Sequence, residues 1–237
     1  SLVDLNRAGI PLLEIVSEPD LRSAEEAKLY MEKIHQIATA IGISYGDMEK
    51  GHLRCDANVS LRAKGEKKFG IRTETKNLNS FRYVKDAITY EIKRQYEEIL
   101  DGNNIIQETR LWDTDKKITF SMRSKEEADE YRYFPDPDLP DVSISPEKIE
   151  KIKKNIPELP DIKQKRFVIE YGLSSYDAEI LTANYEISEY YEKMICNGAS
   201  PKLACNWVIG DLTRVLNESK KSINELSLLP ENLSDLT

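Results

Sequence analysis

The sequence predicts an α+β fold in which a largely antiparallel sheet carries helices, followed by an all-α domain. Three observations carry that expectation. Residues 53–62, LRCDANVSLR, alternate apolar and polar without a break, the period of a half-buried strand. Strand-like and helix-like runs then alternate as strand, helix, strand, strand, helix, strand, strand, with tight turns between neighbouring strands. After residues 134–146, FPDPDLPDVSISP, whose four prolines exclude regular structure, only helical spacings follow.

Taken in order, residues 10–16, IPLLEIV, form a short apolar run between Gly9, Pro11 and Pro19, short enough for a buried strand. Ser23 and Glu26 have the spacing of a capping box. Ala27, Tyr30, Met31, Ile34, Ile37 and Ile41 then trace one face of a helix that Gly42 stops. The alternating strand comes next, then a turn from Gly65 to Gly70 and a second strand over residues 71–76. Asn77, Asn79 and Ser80 lead into a helix with Phe81, Val84, Ile88, Ile92, Tyr96 and Ile99 on one side and Gly102 at its end. Residues 105–111 and 117–122 read as two further strands. In the second half, residues 162–171, 175–184, 188–196 and 201–217 have helical spacing, the last opened by Ser200 and Pro201.

Composition excludes several classes. The 237 residues are 40% hydrophobic and 32% charged, a globular balance with ample core. A net charge of −8 gives no global basic field for nucleic acid, so any such contact needs a local patch. No apolar run approaches a membrane span and no signal peptide is visible. Cys55, Cys196 and Cys205 are odd in number, far apart and not in CxxC spacing, so they read as buried thiols in a reducing compartment, with the cytoplasm as default. The chain opens on Ser1 and reads as a fragment.

Several groups are candidates for chemistry. Arg54, Asp56, Asn58 and Ser60 share one face of the alternating strand, able to hold a phosphate, a metal or a metal-bound water; an ordinary polar outer face is the competing reading. Glu74 and Lys76 share a face of the next strand and could extend that row into a two-strand polar floor, or form a solvated cross-strand ion pair. Asn77 and Asn79 suit a turn and helix cap, and also a helix terminus that holds an anion. Glu14 sits in an apolar run, where a carboxylate is costly unless it meets a cation or an Arg; outward exposure is the alternative. His35 falls on the polar side of the first helix and His52 in a turn, a poor metal motif. No phosphate-binding glycine loop is present. Between residues 148 and 166, Lys148, Lys151, Lys153, Lys154, Lys163, Lys165 and Arg166 outnumber three acids. Such a patch can track phosphates, although a solvated helix face is the commoner outcome.

The segments LVDLNRAGIPLLEIVSEPD, DMEKGHLRCDANVSLR, RTETKNLNSF, QETRLWD and DEYRYFPDPDLP, in that order, closely resemble the B-subunit family of aspartyl/glutamyl-tRNA amidotransferases. The likeness continues through IPELPDIKQKRFVIEYGLSSYDAEIL. It implies a glutamine synthetase-like antiparallel sheet with helices, here partial. The implied division is a catalytic kinase portion over residues 1–145, a helical tRNA cradle over 146–228 and the start of a tail domain over 229–237.

The resemblance further implies ATP- and Mg²⁺-dependent phosphorylation of the side-chain carboxylate of Glu-tRNA(Gln) or Asp-tRNA(Asn). Ammonia from the amidase, or A, subunit would then complete the amide, with a small C subunit in the same complex. By position, the resemblance makes Glu14 a metal-coordinating acid and Arg54 and Lys76 catalytic cations. Asp56, Asn58, Ser60, Glu74, Asn77 and Asn79 become ATP or metal contacts. Residues 131–138 would wall the site, and Lys151, Lys154, Lys163, Lys165 and Arg166 would meet tRNA. The expected location is the bacterial cytoplasm or an organellar matrix, and the chain alone is expected to lack kinase activity. The alternative from another class is a non-catalytic tRNA-binding or scaffold piece of the same complex.

Overall fold

A computed structural model describes residues 9–124, 138 and 140–236. Its first half is a four-stranded sheet, β1 (Ala57–Val59), β2 (Thr73–Lys76), β3 (Glu108–Asp113) and β4 (Ile118–Ser124), in spatial order β1-β2-β3-β4. Two helices belong to it, α1 (Ala24–Ala40) and α2 (Phe81–Leu100). Each begins where a serine hydroxyl satisfies an orphan amide: Ser23 Oγ accepts from Glu26 N and Ser80 Oγ from Tyr83 N, both at 3.1 Å. The Glu26 carboxylate reaches back to the Arg22 amide rather than to Ser23, so the box is one residue wider than the sequence spacing suggests. Gly42 and Gly102, at φ 72° and 78°, follow the two helices.

The sheet is mixed. β1–β2 and β3–β4 are antiparallel, but β2 and β3 run parallel, with Glu74 opposite Thr109 and Lys76 opposite Leu111. Parallel neighbours need a crossover, and α2 provides it. One face of the sheet packs on α2 and α1 through Ala57, Val84, Ala87, Trp112, Leu78 and Ala27. The buried stripe of α2 is Val84, Ala87, Glu91 and Gln95, whereas Tyr96 and Ile99 are exposed. His35 is half-buried and edge-on to the Phe81 ring at 5.5 Å, so it is a packed residue and not a polar-side one.

The alternation holds from Leu53 to Val59, inward at Ala57 and Val59 and outward at Arg54, Asp56 and Asn58, and fades at Ser60 and Leu61, both half-buried; only three residues pair as a strand. Residues 10–16 form no strand. Ile10, Leu12, Leu13, Ile15 and Val16 are all exposed, with no described strand alongside to satisfy their backbone.

The second half is helical: α3 (Pro146–Lys154), α4 (Pro160–Tyr171), α5 (Ser175–Thr182), α6 (Tyr185–Cys196), α7 (Pro201–Trp207) and α8 (Thr213–Ser219), then α9 (Pro230–Ser234). A π-helical turn over Val208–Leu212 joins α7 to α8. The α3 helix was not legible from the proline-rich stretch before it. Ser145 caps it, Pro146 opens it and Lys151, Lys153 and Lys154 fill its last turn, but it buries nothing. Phe167, Leu181, Tyr191, Met194, Ala204 and Val208 centre a separate core, on which α9 rests through Leu233.

Candidate functional site on the open face of the sheet

The antiparallel register sets Asn58 opposite Glu74, and on the same face the Lys76 ammonium reaches across to Asp56 Oδ2 at 3.0 Å. Glu74 Oε1 lies 3.8 Å from the same ammonium. Lys76 therefore bridges two carboxylates, and the two-strand polar floor expected from the alternation exists. Exposure grades along it: Asp56 keeps 49% of its side chain in solvent, Lys76 38% and Glu74 16%. Arg54 is exposed two residues before Asp56, and Ser60 is half-buried two residues after Asn58. The second oxygen of Glu74 accepts from Thr109 Oγ1 at 3.0 Å, a contact that the parallel β2–β3 pairing creates.

Asn77 and Asn79 take the turn role. Asn77 has φ 66°, a conformation asparagine tolerates better than most residues, and its amide donates to the Trp112 carbonyl at 3.0 Å. Asn79 Nδ2 donates to Asn77 Oδ1 at 3.1 Å. Both side chains hold the exit of β2 against β3 and the start of α2.

Sequence reasoning missed Glu91. It is fully buried on the other side of the sheet, where it accepts from Thr73 Oγ1 at 3.0 Å, Thr119 Oγ1 and Arg94 Nη2 at 2.8 Å. Arg110 Nε stands 3.0 Å from it, and Gln95 Nε2 ties the cluster to the Val59 carbonyl at 3.1 Å. Burial works to raise its pKa, but the hydrogen bonds from Arg94, Thr119 and Thr73 hold it below the ordinary glutamate value. The available signal was the spacing Val84, Ala87, Glu91, Gln95, which the larger isoleucines one residue along concealed.

Two sequence expectations are corrected. Glu14 is exposed, not buried in a strand, and it forms no hydrogen bond or ion pair to a described residue, so the desolvation that would have required a cation is absent. Lys163 and Arg166 do not lie on an open basic surface. Lys163 is only 4% exposed and pairs with Glu189 and, at 2.8 Å, Glu192. Burial opposes its charge, yet those hydrogen bonds keep its pKa above the usual lysine value. Arg166 meets Glu158 and Glu192 at 2.6 Å each and Glu170 at 3.6 Å, and hydrogen bonding to Glu158 above all raises its pKa. Lys151, Lys154 and Lys165 remain exposed. The segment 131–138 lies outside the described residues except for Asp138.

Among the described residues no three His, Cys, Asp or Glu side chains gather as a metal site. Asp56 and Glu74 offer two carboxylates. That number suits a Mg²⁺ held mainly by nucleotide phosphates and water, and it would not cage a bare ion. No helix of the described residues is long and apolar enough to cross a membrane.

The α+β unit seals one face of its sheet on helices, sets acid, amide and ammonium groups on the other, and is followed by a helical region. The chain belongs to the GatB/GatE family: residues 1–150 match the GatB/GatE catalytic domain and residues 189–237 the GatB domain. Among its relatives, the B subunit of the aspartyl/glutamyl-tRNA(Asn/Gln) amidotransferase of Thermodesulfovibrio yellowstonii is 56% identical over 236 residues. Those of Geotalea daltonii and Carboxydothermus hydrogenoformans are 55% and 53% identical over the same length. Each alignment covers 100% of this chain and 49–50% of the relative, so the chain spans about half the length of the curated relatives it matches.

Proposed function

We propose that the chain is part of the B subunit of a tRNA-dependent amidotransferase, and that the open sheet face contributes to its ATP-dependent kinase site. The observation that carries this reading is Lys76, an ammonium bridging Asp56 and Glu74 on an accessible face beside Asn58. Phosphoryl transfer needs positioned positive charge and little covalent help from the protein.

The reaction is attack by the side-chain carboxylate of Glu-tRNA(Gln) or Asp-tRNA(Asn) on the γ-phosphorus of ATP. ADP leaves and an acyl phosphate forms. Ammonia from the amidase subunit then adds to the acyl carbon and inorganic phosphate departs, leaving the amide.

In this scheme Lys76 and Arg54 stabilise negative charge on the transferred phosphoryl group, and Asn58 and Ser60 orient polar groups of the nucleotide. Asp56 and Glu74 would hold the Mg²⁺, which when bound neutralises phosphate charge. Asn77 and Asn79 support the floor through the turn they build. Glu14 enters as a metal ligand on the family resemblance alone. Exposed Lys151, Lys154 and Lys165 supply cations toward tRNA, in a complex with the amidase and small subunits.

The test is K76M and E14Q, each in the full-length subunit joined to its partners, with ATP hydrolysis dependent on mischarged tRNA measured beside glutaminase activity. Loss of ATP hydrolysis in K76M with glutaminase intact is the expected result. Unchanged hydrolysis in K76M would remove the floor from the kinase site and favour the non-catalytic scaffold reading. Unchanged hydrolysis in E14Q would take Glu14 out of the metal set and leave the floor in place.

A further inference from the structure

We infer that Thr109 is a positioning residue for the floor: its hydroxyl fixes the Glu74 carboxylate so that one oxygen is held by the protein and the other is presented to Lys76 and the bound nucleotide. This deepens the reading of the open face as an ATP site and rests on it.

The geometry behind the assignment comes from three strands. Thr109 lies opposite Glu74 in the parallel β2–β3 pairing, and its Oγ1 donates to Glu74 Oε2 at 3.0 Å. The other oxygen, Oε1, is the one facing the Lys76 ammonium at 3.8 Å. The two oxygens thus have separate tasks. Thr109 is 1% exposed, so its hydroxyl is withdrawn from water and its hydrogen bond is not in competition with solvent.

A register shift between Thr109 and Arg110 accompanies this arrangement. Thr109 pairs with Arg123 and Arg110 with Ser121, leaving one extra β4 residue, Met122, between them. Such bulges bend a strand and re-aim its side chains. Consecutive residues of β3 serve opposite faces by the ordinary alternation of a strand, Thr109 reaching Glu74 above and Arg110 reaching Glu91 below. A threonine that only filled space would not need this donor geometry.

Glu74 is the least exposed charged group of the floor, and a buried hydrogen bond to a carboxylate is among the stronger ones a hydroxyl makes. Losing it removes the bond from β3 that fixes Oε2, so the aim of Oε1 toward Lys76 is set less closely.

The experiment uses T109V, T109S and E74Q in the full-length subunit joined to its partners, reading KM for ATP and kcat of mischarged-tRNA-dependent ATP hydrolysis. T109V, nearly the same shape without the donor, is expected to raise KM for ATP about tenfold with a smaller effect on kcat. T109S, which keeps the hydroxyl, is expected to restore KM to within about twofold of the parent.

If E74Q raises KM while T109V does not, the positioning role is overturned and the site reading stands. If E74Q and K76M both leave ATP kinetics unchanged, the site reading itself falls. If T109S raises KM while T109V does not, Thr109 acts through its methyl group and the inference is wrong. Should T109V fail to assemble, T109A against T109S makes the same comparison, since both lose the methyl and only one loses the donor.

Discussion

Arg110 and Glu91 meet 3.0 Å apart on the sealed side of the sheet, one residue along β3 from the Thr109 hydroxyl that serves the open side. The charged groups beneath the sheet hold in place the strands that carry the charged groups above it. Glu91 alone touches residues from β2, β3, β4 and α2.

Removing that carboxylate is therefore expected to be severe. E91A leaves Arg94 and Arg110, 17% and 12% exposed, without their shared counter-ion. The expected loss is about 3–5 kcal/mol in denaturant unfolding of the full-length subunit. The pH dependence follows from the direction of the shift. The folded-state pKa lies below the ordinary value of 4.5, so the native state binds this proton more weakly than the unfolded chain does. Its stabilisation is present above pH 4.5 and is lost as pH falls through that value toward the folded pKa. E91Q is expected to flatten this acid limb, as read from unfolding midpoints between pH 6 and pH 3.

The lysines of the second half divide into two kinds, and mutation separates them. K163A is expected to cost about 1–3 kcal/mol of stability, because Glu189 and Glu192 lose a buried partner. K151A, K154A and K165A are expected to leave the unfolding midpoint unchanged. If these three meet phosphates, their triple substitution weakens tRNA binding and reduces the salt dependence of the affinity by up to about three charges. Filter binding at several salt concentrations reads both effects.

Gly46 sits over His35 at φ +73°, and a Cβ there would run into the His35 imidazole and come within 2.8 Å of Thr39 Cγ2. Gly42 has almost the same φ but open space around it, so G42A isolates the backbone strain. That strain is worth about 1–2 kcal/mol, and G46A is expected to cost about 1–3 kcal/mol more. Burial lowers the His35 pKa, so displacing the imidazole in G46A should return it toward 6.5, a shift visible in an NMR titration of the ring protons.

The three thiols are expected to react in a fixed order. Burial pushes Cys55 and Cys205 up to about 11, with Asp56 and Asp177 adding to the effect at each, whereas Cys196 is exposed, contrary to the expectation of three buried thiols. Thiol labelling of the native protein at pH 8 should modify Cys196 first, and Cys55 and Cys205 only on unfolding.

What the sequence disclosed follows from the range over which each interaction acts. Ser23 and Ser80 are local signals, and both helices start where those residues indicate. The alternation around Asp56 and Asn58 depends only on the strand period, and it survives although most of the stretch lacks ladder hydrogen bonds. The parallel β2–β3 pairing was hidden because tight turns between strand-like runs suggest hairpins, while the partner of β2 lies beyond α2. Lys163 and Arg166 counted as basic surface because Glu189 and Glu192, which neutralise them, belong to a different helix further along the chain. Ile10–Val16 had the composition of a strand, but a strand requires a neighbour.

The parallel pairing also constrains how the protein is made. β1 and β2 can zip together soon after both have left the ribosome, but β2 finds β3 only once residues 77–107 have been traversed and α2 laid across them. Closing so long a loop costs chain entropy before any ladder bond repays it. The centre of the sheet is thus a late event in folding, and the floor on which Glu74 and Thr109 meet comes into being with it. In pulse-labelling hydrogen exchange, the amides joining β2 to β3 should gain protection after those of α2.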